Sequence, residues 1–358
     1  MKNKILVTGG AGYIGSHTCI ALHEAGYDIV VYDNLSNSSR ESINRVSNLI
    51  GQSIEFIEGD IRDAEMLRQV FSSHHFFGVI HFAGLKAVGE SVAKPLLYYN
   101  NNVSGTITLL EVMAEYDVKN FVFSSSATVY GDPEILPIDE SSSRSCTNPY
   151  GQSKLAVEHI LEDLAVSDTR WNLIPLRYFN PVGAHPSGQI GEDPNDIPNN
   201  LMPYISQVAV GKLPKLSIFG NDYPTIDGTG VRDFIHVTDL AQGHVAALDY
   251  LKQQTSIEEH SSDEKSSNKK NSIGFLPINL GTGKGTSVLE LVSAFSDVSG
   301  QTIPYQFTDR RAGDIASCYS SADKAKVLLG WQAKLSITDM CQDTWHWQSM
   351  NPNGYNVT

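Results

Sequence analysis

Three residues near the middle of the 358-residue chain have the types and spacing to handle a proton: Ser126, Tyr150 and Lys154. A free phenol titrates near ~10, so tyrosine alone is a poor base at neutral pH. A lysine four residues on shares the same helical face and places a cation where it favours the phenolate. Tyr-x-x-x-Lys by itself is a weak pattern. It gains meaning behind a serine-rich strand end (Phe123–Ser126) and a glycine-rich turn that opens the chain, TGGAGYIG at Thr8–Gly15. A nicotinamide cofactor carries hydride chemistry, and the protein must then add a matched proton acceptor.

The glycine-rich turn lies between an apolar run and a helical pattern in which Ile14, Thr18, Ala21, Leu22 and Ala25 recur, with Gly26 as a stop. In that context Gly9, Gly12 and Gly15 permit a tight turn, close approach to a pyrophosphate and close helix–strand packing. The phosphates then meet amide groups at a helix N-terminus. Asp33 ends the next apolar run, where its carboxylate can accept from ribose hydroxyls. It repels a 2′-phosphate, so NAD is expected rather than NADP. The run GTGKGT at Gly281–Thr286 lacks phosphate-loop spacing and reads as a plain strand-to-helix turn. His81 reads as a packed strand residue. No metal site is expected, since no second histidine stands at ligand spacing. His236 and Asp239 read as a hydrogen-bonded pair at a helix entry, with Asp239 as its cap.

Short β-rich runs that alternate with helical stretches predict a doubly wound parallel sheet. The expected strands are Ile5–Val7, Ile29–Asp33, Ile54–Ile61, Gly78–Ala83, Asn120–Ser125 and Trp171–Tyr178. Long helices are expected over Pro95–Tyr116 and Ser153–Val166. Residues 1–180 form the dinucleotide lobe in this reading, with 233–251 packing back onto it. Residues 181–232 and 252–358 make a smaller mixed α/β lobe, in which the polar stretch Lys252–Ser272 is a flexible insertion.

Bulk properties narrow the class. A hydrophobic share of 41% and a charged share of 18% suit a globular enzyme. A net charge of −14 argues against nucleic acid or a membrane surface as partner. The four cysteines are scattered, which fits a reducing cytoplasm, and no apolar stretch reaches the ~18 residues of a membrane helix.

Longer segments carry a more specific signal: TGGAGYIGSHT, HFAGLKAVGES, FSSSATVYGDP, PYGQSK, RYFNPVGAHPSG, IPNNLMPYI, IFGNDYPTIDGTGVRDFIHV and DTWHWQS. Through them nearly the whole chain, apart from Lys252–Ser272, resembles the extended short-chain dehydrogenase/reductases and, within them, the UDP-glucose 4-epimerases. The resemblance implies bound NAD, a UDP-sugar substrate and 4-epimerisation of UDP-galactose and UDP-glucose through a transient 4-ketose. It makes Tyr150 the base at the sugar O4 and Ser126 a hydrogen-bond partner of the same hydroxyl. Lys154 holds the nicotinamide ribose and lowers the Tyr150 pKa. Asp60 and Ile61 line the adenine pocket. Phe82, Ala83, Gly84, Lys86 and Asn101 border ribose and pyrophosphate, and Tyr178 lies by the nicotinamide. Tyr13, Ile14, Asn34, Asn37 and Ser124 complete the cofactor set.

For the substrate the resemblance implies Phe179, Asn180, Asn200, Leu201, Ser217, Phe219, Arg232, Arg311 and Asp314. Two arginines suit a diphosphate, and a carboxylate suits the uridine ribose. Cys318 falls at a gatekeeper position beside the sugar C2 substituent, where a small residue leaves room for an N-acetyl group; UDP-GalNAc and UDP-GlcNAc are therefore also expected. A homodimer through the two long helices is implied as well. Two alternatives stay open. A nucleotide-sugar 4,6-dehydratase needs a further acid and base just after the serine, where Ala127 and Thr128 stand. A non-catalytic dinucleotide sensor would not need the Tyr150–Lys154 pair or the substrate arginines.

Overall fold

Runs that are apolar at every residue need cover on both faces, which a parallel sheet between two helical layers provides. The computed structural model describes residues 2–194, 198, 200–260 (255–260 as backbone alone), 272–311 and 313–356. In it β1 (Lys4–Thr8), β2 (Asp28–Asp33), β3 (Glu55–Glu58), β4 (Phe76–His81), β5 (Asn120–Ser126) and β6 (Asn172–Tyr178) lie parallel in the order β6-β5-β4-β1-β2-β3. The strand order reverses between β1 and β4, so a crevice opens at their carboxyl ends, where such sheets bind ligands. The expected strand Ile54–Ile61 is shorter in the structure. The chain turns at Gly59, whose N–H donates to the Asp33 carbonyl at 3.1 Å.

Helix α1 (Tyr13–Glu24) and the helix Val237–His260 pack together on one face, through Ile20, Ala21 and Leu22 against Leu240, Ala241, Val245 and Leu248. Leu67, Phe71, Leu109, Met113, Val157 and Leu161 cover the other face. The expected helix Pro95–Tyr116 is present as Pro95–Tyr98, a π-turn over Tyr99–Ser104, and Gly105–Glu115. Two boundaries differ from the sequence reading. Residues 274–280, placed in the smaller lobe, supply the strands Gly274–Phe275 and Ile278–Leu280 to the large sheet beside β6. The helix after 237 runs on to His260, so the first part of the polar stretch is helical and 261–271 lie outside the described residues.

The smaller lobe has its own core of Met202, Ile205, Leu216, Ile218, Leu291, Phe295 and Met340. Asp233, fully buried, binds the lobes together: its carboxylate accepts from Thr282 N and Oγ1, Gly283 N, and Ser320 N and Oγ, at 2.6–3.1 Å. The GTGKGT run is thus an anchored turn, as expected. His236 and Asp239 do not pair. His236 Nδ1 accepts from Thr238 N at 3.0 Å and Nε2 faces Asp343 at 3.1 Å, while Asp239 Oδ2 accepts from the backbone of Lys334 and Leu335. The carboxylate at 239 therefore holds a distant loop, and the histidine caps the helix.

Candidate active site

Tyr150 sits in the first turn of the helix Pro149–Ser167, which begins earlier than the expected Ser153. Asn148 Oδ1 caps it by accepting from Gly151 N at 2.9 Å, and Pro149 is pre-set for its first position. One turn on, Lys154 is buried; its Nζ donates to the Ser124 carbonyl at 2.8 Å and lies 4.9 Å from the Phe123 ring and 6.0 Å from the Tyr150 ring. Burial pushes the Lys154 ammonium down to about 8. Ser126 ends β5, directly across from Tyr178 in β6. Burial raises the Tyr150 phenol above its ordinary value, against a hydrogen bond with Ser126 and the positive charge of Lys86. Ser126 and Lys86 thus work against that rise, while the Lys154 ammonium, one turn along the same helix, is held by the Ser124 carbonyl.

The β1–α1 turn forms a cradle against β4. Gly9 has φ +72°, and a Cβ on it would come 2.5 Å from Ala83 N. A Cβ at Gly15 would come 2.4 Å from the Gly9 carbonyl oxygen. Only glycines let the backbone close this tightly, and the helix N-terminus that the turn leads into suits a pyrophosphate. Gly12 caps α1, which Tyr13 and Ile14 begin; Tyr13 Oη donates to the Gly183 carbonyl at 2.6 Å and so ties the turn to the smaller lobe. Asp33 Oδ2 accepts from Ala11 N at 3.0 Å, and its Oδ1 from Leu35 N and Ser38 Oγ. Its carboxylate thus braces the turn and still has acceptor capacity for a ribose.

Asn34 Nδ2 donates to Asp60 Oδ2 at 3.1 Å, and Asn37 is exposed nearby. The Asp60 carboxylate is taken up by Arg62, which holds it well below the usual range. Ile61 is buried against Gly105, so its side chain belongs to the core and only its backbone is left for an adenine. Beyond β4, a Cβ at Gly84 would meet Asn102 Oδ1 at 3.4 Å and Lys154 Nζ at 3.5 Å. The Phe82 ring lies against that of His244, centroids 4.8 Å apart and inclined by 52°, and His244 also hydrogen-bonds the Tyr178 hydroxyl; Ser124 pairs in register with Leu176, two residues before Tyr178. Asn101 Nδ2 donates to Asn102 Oδ1 at 3.0 Å.

On the opposite wall, Phe179 is buried and Asn180 N donates to the Asp233 carbonyl at 2.9 Å. Asn200 heads the helix Leu201–Ala209, with Leu201 as its first residue. Ser217 and Phe219 lie on the strand Leu216–Phe219, and the Arg311 guanidinium stacks 4.6 Å over the Phe219 ring. Arg311 Nε also donates to Asp314 Oδ2 at 2.9 Å, so these two expected substrate residues engage each other. Arg232 Nη1 donates to its neighbour's carbonyl, and Cys318 pairs with Arg232 in register, in the strand Ser317–Cys318.

Sequence reasoning missed three supports. Asn102, in the π-turn, accepts from Leu85 N and donates to the Leu85 carbonyl and Ser153 Oγ; it fastens the 84–86 loop to the Tyr150 helix. The Asn100–Asn102 run inside an apolar helix was its only signal. His244, on the helix that packs back, was hidden in an apolar pattern. The third is a buried ion pair. Arg177 donates to both oxygens of Glu158 at 2.9 and 2.7 Å, Ser125 Oγ to Glu158 at 2.6 Å, and Arg177 Nη1 to Tyr130 at 2.9 Å. Arg177 and Ser125 adjoin Tyr178 and Ser126 in sequence, Glu158 stands one turn beyond Lys154, and Tyr130 follows Ser126 by four residues.

A parallel doubly wound sheet with a glycine cradle, an aspartate at the end of β2 and a Ser–Tyr–Lys group defines a dinucleotide-dependent enzyme of the short-chain dehydrogenase/reductase kind. The family model described as GDP-mannose 4,6 dehydratase matches residues 6–344. A UDP-glucose 4-epimerase of Bacillus subtilis is 59% identical over 351 residues, 98% of each chain. The structure of UDP-glucose 4-epimerase from Bifidobacterium longum, in complex with NAD+ and UDP, aligns with TM-score 0.91 at 50% identity, covering 98% of this chain and 100% of that one. That of UDP-glucose 4-epimerase from Stenotrophomonas maltophila, with NAD and a formylated UDP-arabinopyranose, aligns with TM-score 0.91 at 46% identity, covering 98% and 99%. The chain belongs to that dehydratase-named family and, within it, to the UDP-glucose 4-epimerases.

The cradle gives a direct test. Gly15→Ala forces a methyl group onto the Gly9 carbonyl, and overpacking of this kind costs ~1–3 kcal/mol. Fluorescence titration should show NAD binding weakened by about tenfold or more; unchanged affinity would mean that the turn does not carry the pyrophosphate.

Proposed function

We propose that this protein interconverts UDP-galactose and UDP-glucose through a 4-keto intermediate with bound NAD. The reading is carried by the Ser126–Tyr150–Lys154 group at the carboxyl end of β5, opening onto the glycine cradle. When bound, the cofactor accepts a hydride from the sugar C4 and gives it back, so none is consumed. Tyr150 Oη takes the O4 proton as that carbon is oxidised and returns it when the opposite face is reduced. Ser126 Oγ donates to the same oxygen and limits the charge that builds on it. Lys154, charged below about pH 8, keeps a cation within reach of both the phenol and a ribose. Arg232 and Arg311 hold the diphosphate while the ketose turns. The dehydratase alternative lacks its acid and base: the residues after Ser126 are Ala127, buried, and Thr128, whose Oγ1 has no partner.

Tyr150→Phe should lower kcat by about 10²–10⁴-fold with NAD binding retained, and Ser126→Ala should cost less, because the base remains. A product assay with UDP-galactose decides this; near-wild-type turnover in Tyr150→Phe would remove the tyrosine from the mechanism.

Substrate range turns on Cys318. It shares a buried cluster with Ala127, Leu155 and Phe179, of which Ala127 follows Ser126 and Phe179 precedes Asn180. A side chain this small leaves room for an N-acetyl group at the sugar C2, so UDP-GalNAc and UDP-GlcNAc are substrates too. Cys318→Tyr should abolish N-acetyl turnover and keep most activity on UDP-glucose, because exclusion by size acts only on the larger ligand. Absence of N-acetyl activity in the unaltered protein would refute this.

A homodimer through the helices at 95–115 and 149–167 is the assembly we infer. Leu96 and Val166 are 81% and 83% exposed there, with Leu97, Tyr99 and Ile107 also at the surface, an apolar patch of the kind that marks an interface. Sedimentation should report twice the chain mass, and Leu96→Glu should shift it to the monomer; a monomeric unaltered protein would refute the pairing. The four cysteines are unpaired, which fits a reducing cytoplasm. No helix among the described residues is long and apolar enough to cross a membrane.

A further inference from the structure

Glu192 has no role in the reading above. Its Oε1 accepts from two donors on opposite walls of the cleft, Lys86 Nζ at 2.8 Å and Asn200 Nδ2 at 2.7 Å. Lys86 follows β4 in the dinucleotide lobe, and Asn200 heads the helix Leu201–Ala209 in the smaller one. The carboxylate is largely buried, whereas the lysine is half-exposed.

The segment around Glu192 is fixed by the C-terminal part of the chain. Trp347 Nε1 donates to the Glu192 carbonyl at 3.2 Å. Gly191 lies so close to the Trp347 ring that a Cβ there would come 2.4 Å from its Cγ. Tyr355 Oη accepts from Gly191 N at 3.2 Å, and Tyr355 N donates to Asp193 Oδ2 at 2.7 Å. With its backbone tied on both sides, Glu192 cannot follow Lys86 into solvent; the flexible donors come to it. Ordering a lysine stem and an amide before a ligand arrives removes an entropic cost from binding.

We propose that Glu192 is a positioning residue that preorganises the cleft, its fixed carboxylate holding Lys86 and Asn200 across the two lobes to receive the nucleotide sugar. The inference rests on the reading that Lys86 and Asn200 face the cofactor and the nucleotide. It also gives the C-terminal helix Ile337–Met350 and the Tyr355 turn, remote from the reacting atoms in sequence, a function in binding.

The test is calorimetric titration of UDP into the NAD-loaded protein, with KM and kcat for UDP-galactose measured alongside. Glu192→Ala should weaken UDP binding and raise KM by about tenfold, with kcat within about threefold of the unaltered protein. Glu192→Gln retains an acceptor oxygen at the same reach and should restore both values to within about threefold. Asn200→Ala should itself weaken UDP binding, and adding Glu192→Ala to it should weaken binding far less than tenfold further. Unchanged or tighter binding in Glu192→Ala would overturn the inference, the latter by showing that the carboxylate competes with phosphate. So would a glutamine variant as weak as the alanine one, or full additivity in the double variant. Unchanged UDP affinity in Asn200→Ala would overturn the reading of Asn200 and this inference together; a clear loss there beside a silent Glu192→Ala would overturn the inference alone.

Discussion

A buried ammonium is the constraint around which the rest is arranged. Lys154 is only 5% exposed, and burial works against its charge. What keeps the cation useful is a single carbonyl, that of Ser124, together with the faces of Phe123 and Tyr150. That carbonyl lies just past the point where β5 loses its β4 neighbour: the β4 pairing stops at Phe123, while β5 runs on beside β6 to Ser126. A central strand has its carbonyls paired with both neighbours until one of them stops, and beyond that point a carbonyl can turn to a side chain. The Tyr150 helix must then cross the end of β5 at the right height, and the position of one strand end determines where the proton chemistry can take place.

The supports extend this logic outward. The Arg177–Glu158 pair joins β6 to the Tyr150 helix, Ser125 joins that pair to β5, and Tyr130 links it to Asn279 on the strand Ile278–Leu280. A fully buried ion pair is costly to desolvate and is weak evidence for stability by itself. With both guanidinium–carboxylate bonds made and the flanking hydroxyls satisfied, it instead sets the relative register of the elements that present Ser126, Tyr150, Lys154 and Tyr178. On the other side of the cleft, Asp233 ties the Gly281–Thr286 turn and Ser320 beneath the substrate lobe, so the two lobes meet through satisfied polar contacts.

Much of this was legible in the sequence because local patterns carry it. The apolar runs gave the six principal strands to within a few residues, and the glycine spacing with Asp33 gave the cradle. The polar supports were not legible, since nothing local distinguishes a histidine such as His244, or a glutamate such as Glu158, that meets its partner far along the chain. The strands at 274–280 were missed for the same reason: two short runs beyond a long polar stretch show no sign that they return to β6. The pairing expected of His236 and Asp239 failed for a different reason. Sequence position gives proximity but not direction: the Asp239 carboxylate turns to the backbone of Lys334 and Leu335, as that of Asp60 turns to Arg62, and only the folded chain supplies such partners.

The central claim is that a hydride leaves and returns to the same sugar carbon while Tyr150 handles the proton. The most direct measurement uses UDP-galactose deuterated at the sugar C4, incubated with the NAD-loaded protein and followed by mass spectrometry and proton NMR of the products. The account predicts UDP-glucose with the deuterium still at C4, the same mass as the starting sugar, and no accumulation of reduced cofactor. Loss of the deuterium to solvent, or a product lighter by one water, would contradict it.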